Sequence, residues 1–480
     1  MRHALSLLSI AAFTSPALAQ AIDSNGASAL QTSLSAYFGS TVFDEGAIRI
    51  VPSGNSYRLE ADFNAIMGLL PGGASFDPSP LLLDLKPLPD GTWELANTLR
   101  TSGWFDSKVP EAAMSANWSI ANGQLKGTYD PALAAFSSMK MSGGAISLTM
   151  REPAKDTQVT IGKANIEMQA ERSAKSGIDI SATQNLSDFV ETVTLRDEGT
   201  ELQVMLQAKR VAAQTTAAGL QSKPFLDFLA FAVANADPAK FKAKQAELKT
   251  LLLAAFPLWN RLRGDQQWYD IKVITPFGTF GAAKVEVTGS LDGISGQSTA
   301  SYRGQATGLT GPTHLLPAWA VPLVPSDIDI GLGAKDLDVE TPLLTLIAAF
   351  DLNKEPPVPD DVGELMQRDF LDKQPRLTIP RSTMGNADYR IAVEGEITVV
   401  DEKPALRAVV DLSGYDKVVE ATKAGAVTDP TAMRIYTSLL ALKGLAKTKP
   451  GGLLQWAIET RQDGALLVNG TMLGSPDPKP

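Results

Sequence analysis

Few residues in this chain can do chemistry, and their spacing narrows that chemistry further. There is no cysteine, and the two histidines are His3 and His314. Thiol catalysis, disulfides and Cys/His zinc sites are thereby excluded, since each needs sulfur or a second imidazole. A Ser-His-Asp triad would have to run through His314 in GLTGPTHLLPAW, because His3 lies in a leader-like start. That imidazole sits between Pro312 and Pro317 on an extended loop, where an isolated histidine is more often incidental than catalytic. Ser137-Ser138-Met139-Lys140 matches the S-x-x-K of serine-lysine acyl enzymes, but Lys447-Thr448-Lys449 is not K-T-G and no S-D-N occurs. There is no G-x-S-x-G elbow and no Walker A loop, and Gly331 and Gly333 lack the third glycine of a dinucleotide fingerprint.

Carboxylates remain. Asp327 with Asp329, and Asp336 with Asp338, alternate as along one edge of a strand, without the glycine and terminal glutamate of an EF-hand. Asp360-Asp361 and Asp401-Glu402 fall where turns need solubility. No metal ligand set, cofactor site or catalytic residue is expected, and a hydrolase working on carboxylates alone is the least favoured reading.

Residues 1–19 are expected to be a cleaved secretory signal. Arg2 supplies the positive start, residues 4–13 the short apolar core, and Ala17-Leu18-Ala19 an A-x-A cleavage site before Gln20. That core is too short to span a bilayer, and no later window is apolar for long enough to do so. Without cysteine there is no acceptor for a lipoprotein anchor, so a periplasmic protein is expected. The chain carries 53 acidic against 43 basic residues, a formal net charge of −10, and no dense Lys/Arg stripe, so nucleic acid is not an expected partner.

The elements available to hold any site are mostly strands. Apolar/polar alternation broken by Gly, Asn, Asp and Pro predicts hairpins at 47–63, turning at Pro52 to Asn55, and at 81–95, turning at Pro89-Asp90-Gly91. A third hairpin is predicted at 116–129, turning at Asn122-Gly123. Separate strands follow at 145–150, 158–161, 165–170, 178–183 and 190–195, then a long one at 201–216. In the second half, strands are predicted at 268–275, 284–289, 296–306, 328–332, 389–400 and 405–412. The chain closes on QWAIETRQDGALLVNGTMLG, a strand pair joined at Asp463-Gly464. Helices are predicted over 342–351, 362–371 and from Asp429 or Pro430 to Leu445.

Between the halves the pattern changes. Phe225, Phe228 and Phe231 recur at helical spacing, and Asp237-Pro238 then starts a second helix bearing Phe241, Leu248, Leu251 and Leu252 on one stripe. The expected organisation is a β-rich half over 20–222, a helical hairpin over 223–263, a second β-rich half over 264–474, and a frayed tail over 475–480. The fold class is α+β, predominantly antiparallel β, with large curled sheets of hairpins packed around a few amphipathic helices. The aromatic stripe Phe225, Phe228, Phe231 and the proline-punctuated loop residues Leu315, Trp319, Val321 and Leu323 are the expected lining of an apolar groove. The same stripe would also serve as plain core, and the loop, lacking ladder partners, less readily so.

GALLVNGTMLG at the close, 285–297 and 315–332 each read as strand, Gly/Asp turn, strand. They resemble bacterial periplasmic proteins of the DUF945 and DUF2125 type and, more loosely, AsmA-like proteins. The resemblance implies an exported β-rich protein connected with the envelope or its lipids, and carries over no catalytic residue. The expected function is non-enzymatic binding or shielding of an apolar ligand such as lipid. The alternative is a structural module that recruits envelope protein partners through its sheet edges.

Overall fold

A computed structural model describes residues 22–68, 74–77, 80–98, 102–107, 113–197, 199–400, 403–461 and 464–474. The leader-like segment, the Asp401-Glu402 turn, Asp463 and the tail lie outside the described residues. Among the described residues strand accounts for 53% and helix for 25%, so the protein is predominantly β. Each described strand pairing is antiparallel. No helix among the described residues is long and apolar enough to cross a membrane. The chain divides into two compact units, 1–262 with 350–357, and 263–349 with 358–480.

The first unit opens with helix α1 (Ser24–Phe38), capped by Asp23, whose carboxylate accepts from Gly26 N at 2.8 Å. Short helices α2 (Thr41–Asp44) and α3 (Phe63–Gly68) flank the hairpin β1 (Ile48–Ser53) and β2 (Ser56–Ala61). Then come β3 (Ala74–Asp77), β4 (Leu81–Pro87), β5 (Trp93–Thr98) and β6 (Ser102–Ser107). Strands β1, β2, β4 and β5 line up in that order and continue into β7 (Met114–Asp130), whose other end also pairs β6. Period-two alternation puts Ile48, Ile50, Leu59, Leu83, Leu85, Trp93 and Leu95 on one face. Leu30 and Leu34 of α1 close over it, making the unit's main core.

From β7 the sheet runs on through β8 (Ala135–Glu152), β9 (Lys155–Arg172), β10 (Ile178–Asp197) and β11 (Thr200–Leu220). These strands are 17 to 21 residues long, well beyond the usual five or six. Helices α4 (Ser222–Ala234), α5 (Pro238–Ala243) and α6 (Gln245–Ala254) complete the unit. The predicted second helix is thus two, separated at Lys244, which leaves helical geometry at φ −102°, ψ 16°.

The second unit takes up most of β12 (Arg261–Thr275), then β13 (Gly278–Asp292), β14 (Ser298–Thr307) and β15 (Asp327–Leu337). Helices α7 (Glu340–Ala349) and α8 (Val362–Leu371) precede β16 (Arg376–Gly385), β17 (Arg390–Val400) and β18 (Lys403–Ser413). Helices α9 (Tyr415–Gly425) and α10 (Pro430–Leu445), the two-residue β19 (Lys447–Thr448), β20 (Leu454–Thr460), β21 (Leu466–Val468) and β22 (Thr471–Gly474) follow. Strands β13 to β18 pair in sequence order, then β18 pairs β20, β20 pairs β21 and β21 pairs β22. Leu412, Tyr415, Leu454, Trp456 and Val468 form its core beneath α9 and α10.

Three predicted breaks are corrected. Asn122-Gly123 is not a hairpin turn: β7 runs through it unbroken. Likewise 158–161 and 165–170 are one strand, β9, and 178–183 and 190–195 are one strand, β10. The physical reason is a line of kinks that reverses the apolar alternation in mid-strand.

Candidate functional site

The kinks come from backbone in the left-handed region. Asn122 has φ 55°, Ala145 φ 43° and Asp188 φ 51°, in β7, β8 and β10 respectively. Pairing places them within about one residue of each other across the sheet, because Ala121 faces Gly144, Gly144 faces Lys163 and Lys163 faces Ser187. In β9 the same line passes at Gly162, where any Cβ would come 2.7 Å from the Asp188 carboxylate. A one-residue kink of this kind shifts which alternate residues share a face.

The sequence shifts at the same place in each strand. In β8 the apolar residues are Met139 and Met141 before the line, but Ile146, Leu148 and Met150 after it. In β9 they are Val159 and Ile161, then Ala164, Ile166 and Met168, and in β11 Val204 and Leu206, then Val211. Beyond the kinks Trp118, Leu148, Val159 and Leu206 belong to one row, with Glu191 of β10 between the last two, and Ile146, Ile161, Phe189 and Ala208 to the next. Nearer the α1 end, Leu125, Met141 and Ile166 share a row, as do Met139, Met168 and Ala182. Polar residues such as Ser147, Thr149, Gln158 and Gln203 fill the opposite parity. Trp118, Ile146, Leu148, Val159, Ile161, Phe189 and Leu206 are all only half-buried, and none belongs to a core cluster of the described residues. A sheet face of this size without a packed core over it is an apolar surface able to accept an apolar ligand.

The second unit repeats the theme. Val287, Gly304 and Ile330 fall in one cross-strand row, and Leu377, Ile397 and Leu406 in another. Helices α9 and α10 cover only the end of this face around Leu412 and Trp456. At the far end Tyr302, Ile330, Leu332 and Leu377 stand 49 to 56% exposed. The opposite face holds a groove of about 1100 Å³, lined among others by Arg303, Arg381, Glu394, Glu396, Arg407 and Glu459. Its charges largely satisfy one another. Arg303 donates to both oxygens of Asp329 at 2.7 and 2.6 Å, and holds that carboxyl below the usual carboxylate range. Arg381 donates to the buried Asp411 at 3.0 Å, and Arg407 lies 3.9 Å from Glu459.

The residues singled out in the sequence fall in different surroundings. In the first unit Phe231 is buried and packs its ring against Phe241, Phe228 is half-buried, and Phe225 stands 52% exposed. In the second unit Leu323 packs onto the core, while Trp319 and Val321 are half-buried and Leu315 is exposed. The loop's backbone does find partners: Asn386 donates to the carbonyls of Pro322 and Val324, and the Tyr389 hydroxyl to that of Leu323 at 2.7 Å. Trp319 Nε1 donates to Asp429 at 2.8 Å, with its indole against Gly425.

Ser137 sits at an irregularity of the β7–β8 register and donates to the Thr128 carbonyl, while Lys140 pairs with Glu167. His314 is exposed, and so are Asp360 and Asp361. Asp329 and Asp336 are engaged by Arg303 and Arg376, and buried Asp338 accepts from the Thr341 amide and hydroxyl at the start of α7. Among the described residues no three His, Cys, Asp or Glu are grouped to hold a metal. The half-buried sheet faces are hidden in the sequence because their alternation reverses at the kinks. No known family, curated protein or solved structure matches this chain.

Proposed function

We propose that the protein is exported to the bacterial periplasm and there binds or shields an apolar ligand, such as lipid, without catalysing a reaction. The carrying observation is the long apolar face of β7 to β11, whose large side chains are half-buried. Half-burying so many branched and aromatic residues forgoes much of the roughly 1.5–3 kcal/mol each would contribute if enclosed. A ligand lying across the strands would recover it. In this reading the kinks at Asn122, Ala145 and Asp188 curl the sheet so that its apolar side forms a trough. The leader-like start and the resemblance of the closing strands to envelope proteins support the same assignment. The alternative, a module recruiting partner strands, has its best edge in β22, whose four residues are all exposed.

Neighbouring positions on β8 test the reading, because Leu148 and Thr149 occupy opposite faces. Leu148→Glu is expected to weaken binding of the fluorescent apolar probe N-phenyl-1-naphthylamine about tenfold, and Thr149→Glu to leave it unchanged. Equal effects of the two substitutions, or no probe binding by the unaltered protein, would contradict it.

A further inference from the structure

A second apolar feature lies apart from the sheet faces, at one end of the second unit. The turn between β12 and β13 and the loop after β14 meet there. Gly281 and Thr310 exchange both backbone hydrogen bonds at 2.9 Å, forming an isolated antiparallel bridge. Gly278, at φ 134°, lies so close to Pro312 that a Cβ would come within 2.7 Å of its ring, and a Cβ on Gly311 would meet the Phe280 ring at 3.4 Å. The turn is braced by Thr275, whose hydroxyl donates to the Gly278 carbonyl and accepts from the Phe277 amide.

This joined tip presents large apolar side chains to solvent. Phe277 is 63% exposed, Leu315 49%, Phe280 42% and Leu316 41%. The segments that build it carry no charge: neither 273–283 nor 304–326 contains an Asp, Glu, Lys or Arg, in a chain that is 20% charged. The loop's other half, from Trp319 to Leu323, packs against the unit's own helices and core, so the exposed residues are presented on a braced support.

We propose that this tip is a membrane-docking element that inserts Phe277, Phe280, Leu315 and Leu316 into the interfacial layer of a lipid bilayer. Charge-free flanks suit a bilayer better than a protein partner, whose interface would be ringed by polar and charged groups. Aromatic and leucine side chains on a rigid turn are the groups that partition into that layer with little ordering cost. The inference stands on residues outside the proposed ligand face, so either can fail alone.

Flotation of the mature full-length protein with two kinds of vesicle tests it: phosphatidylcholine alone, and phosphatidylethanolamine with phosphatidylglycerol. The protein should float with both, and the doubly substituted Phe277→Ser, Leu315→Ser protein should bind at least about tenfold more weakly. Val427→Ser, altered at an 86% exposed residue elsewhere, should float like the unaltered protein. In Phe277→Trp, lipids brominated along the acyl chain should quench the added fluorescence. Failure to float with either vesicle, undiminished flotation of the double variant, or binding only to phosphatidylglycerol vesicles that high salt abolishes would each overturn the proposal.

Discussion

The ion pair of Arg303 with Asp329 is the clearest place where single residues set a measurable property. Two short hydrogen bonds from the guanidinium, with a third from Gln305, keep the Asp329 carboxyl ionised below its ordinary pKa. A depressed folded-state pKa gives stability that is present above the unfolded value, near 3.8, and is lost as pH falls through the folded value. Asp329→Asn should therefore reduce stability at neutral pH by about 1 kcal/mol, discounted because Arg303 is partly exposed, and the loss should shrink in acid. Urea titrations at neutral pH and near pH 3 check both the size and the direction. Gly425 decides between two opposed effects. In a helix, Gly→Ala usually stabilises by about 1 kcal/mol. Here a Cβ would sit 2.4 Å from the Trp319 ring and 2.8 Å from the Ala432 Cβ, so Gly425→Ala should destabilise by about 1–3 kcal/mol. A higher urea midpoint would show that the indole moves aside freely.

Strands β7 to β10 show what alternation discloses and what it hides. Helix α8 lies at the predicted 362–371, and α10 starts at Pro430 behind its Asp429 cap, because caps and apolar periodicity are written locally. The hairpins β1–β2 and β4–β5 are legible for the same reason. The long strands are not, since reversed parity at Ala145 and Asp188 reads as an end and a new start. Asn122-Gly123 has the residues of a tight turn and uses them for a kink. Helix α1 gives a weak sequence signal because it is rich in Ser, Thr and Gly. The kink line has its own consequence. Ala145 pays for a left-handed backbone that glycine adopts freely, so Ala145→Gly should raise stability by a few tenths to about 1 kcal/mol. If Ala145→Gly instead costs stability, the positive φ is not where β8 holds its strain.

At the scale of the molecule, both units pair an apolar sheet face with a helical layer that covers only part of it. In the first, the core under α1 holds β1, β2, β4 and β5, while the half-buried row of Trp118, Leu148, Val159 and Leu206 lies outside any core cluster of the described residues. In the second, α9 and α10 enclose Trp456 and leave Tyr302 and Leu377 more than half exposed. Of the candidate lining read from sequence, Phe231 and Leu323 serve the interior, whereas Phe225 and Leu315 face solvent. Residue type alone cannot separate these roles, because Phe225 and Phe231 differ in the direction they project from α4 rather than in chemistry. On the proposed function, the open faces are occupied by an apolar ligand. Native mass spectrometry of the protein purified without detergent, followed by organic extraction and lipid analysis, tests it most directly. A mass increment that disappears on extraction and is recovered as lipid in the organic phase is the expected result. Protein at its bare polypeptide mass, with an empty extract, would contradict it.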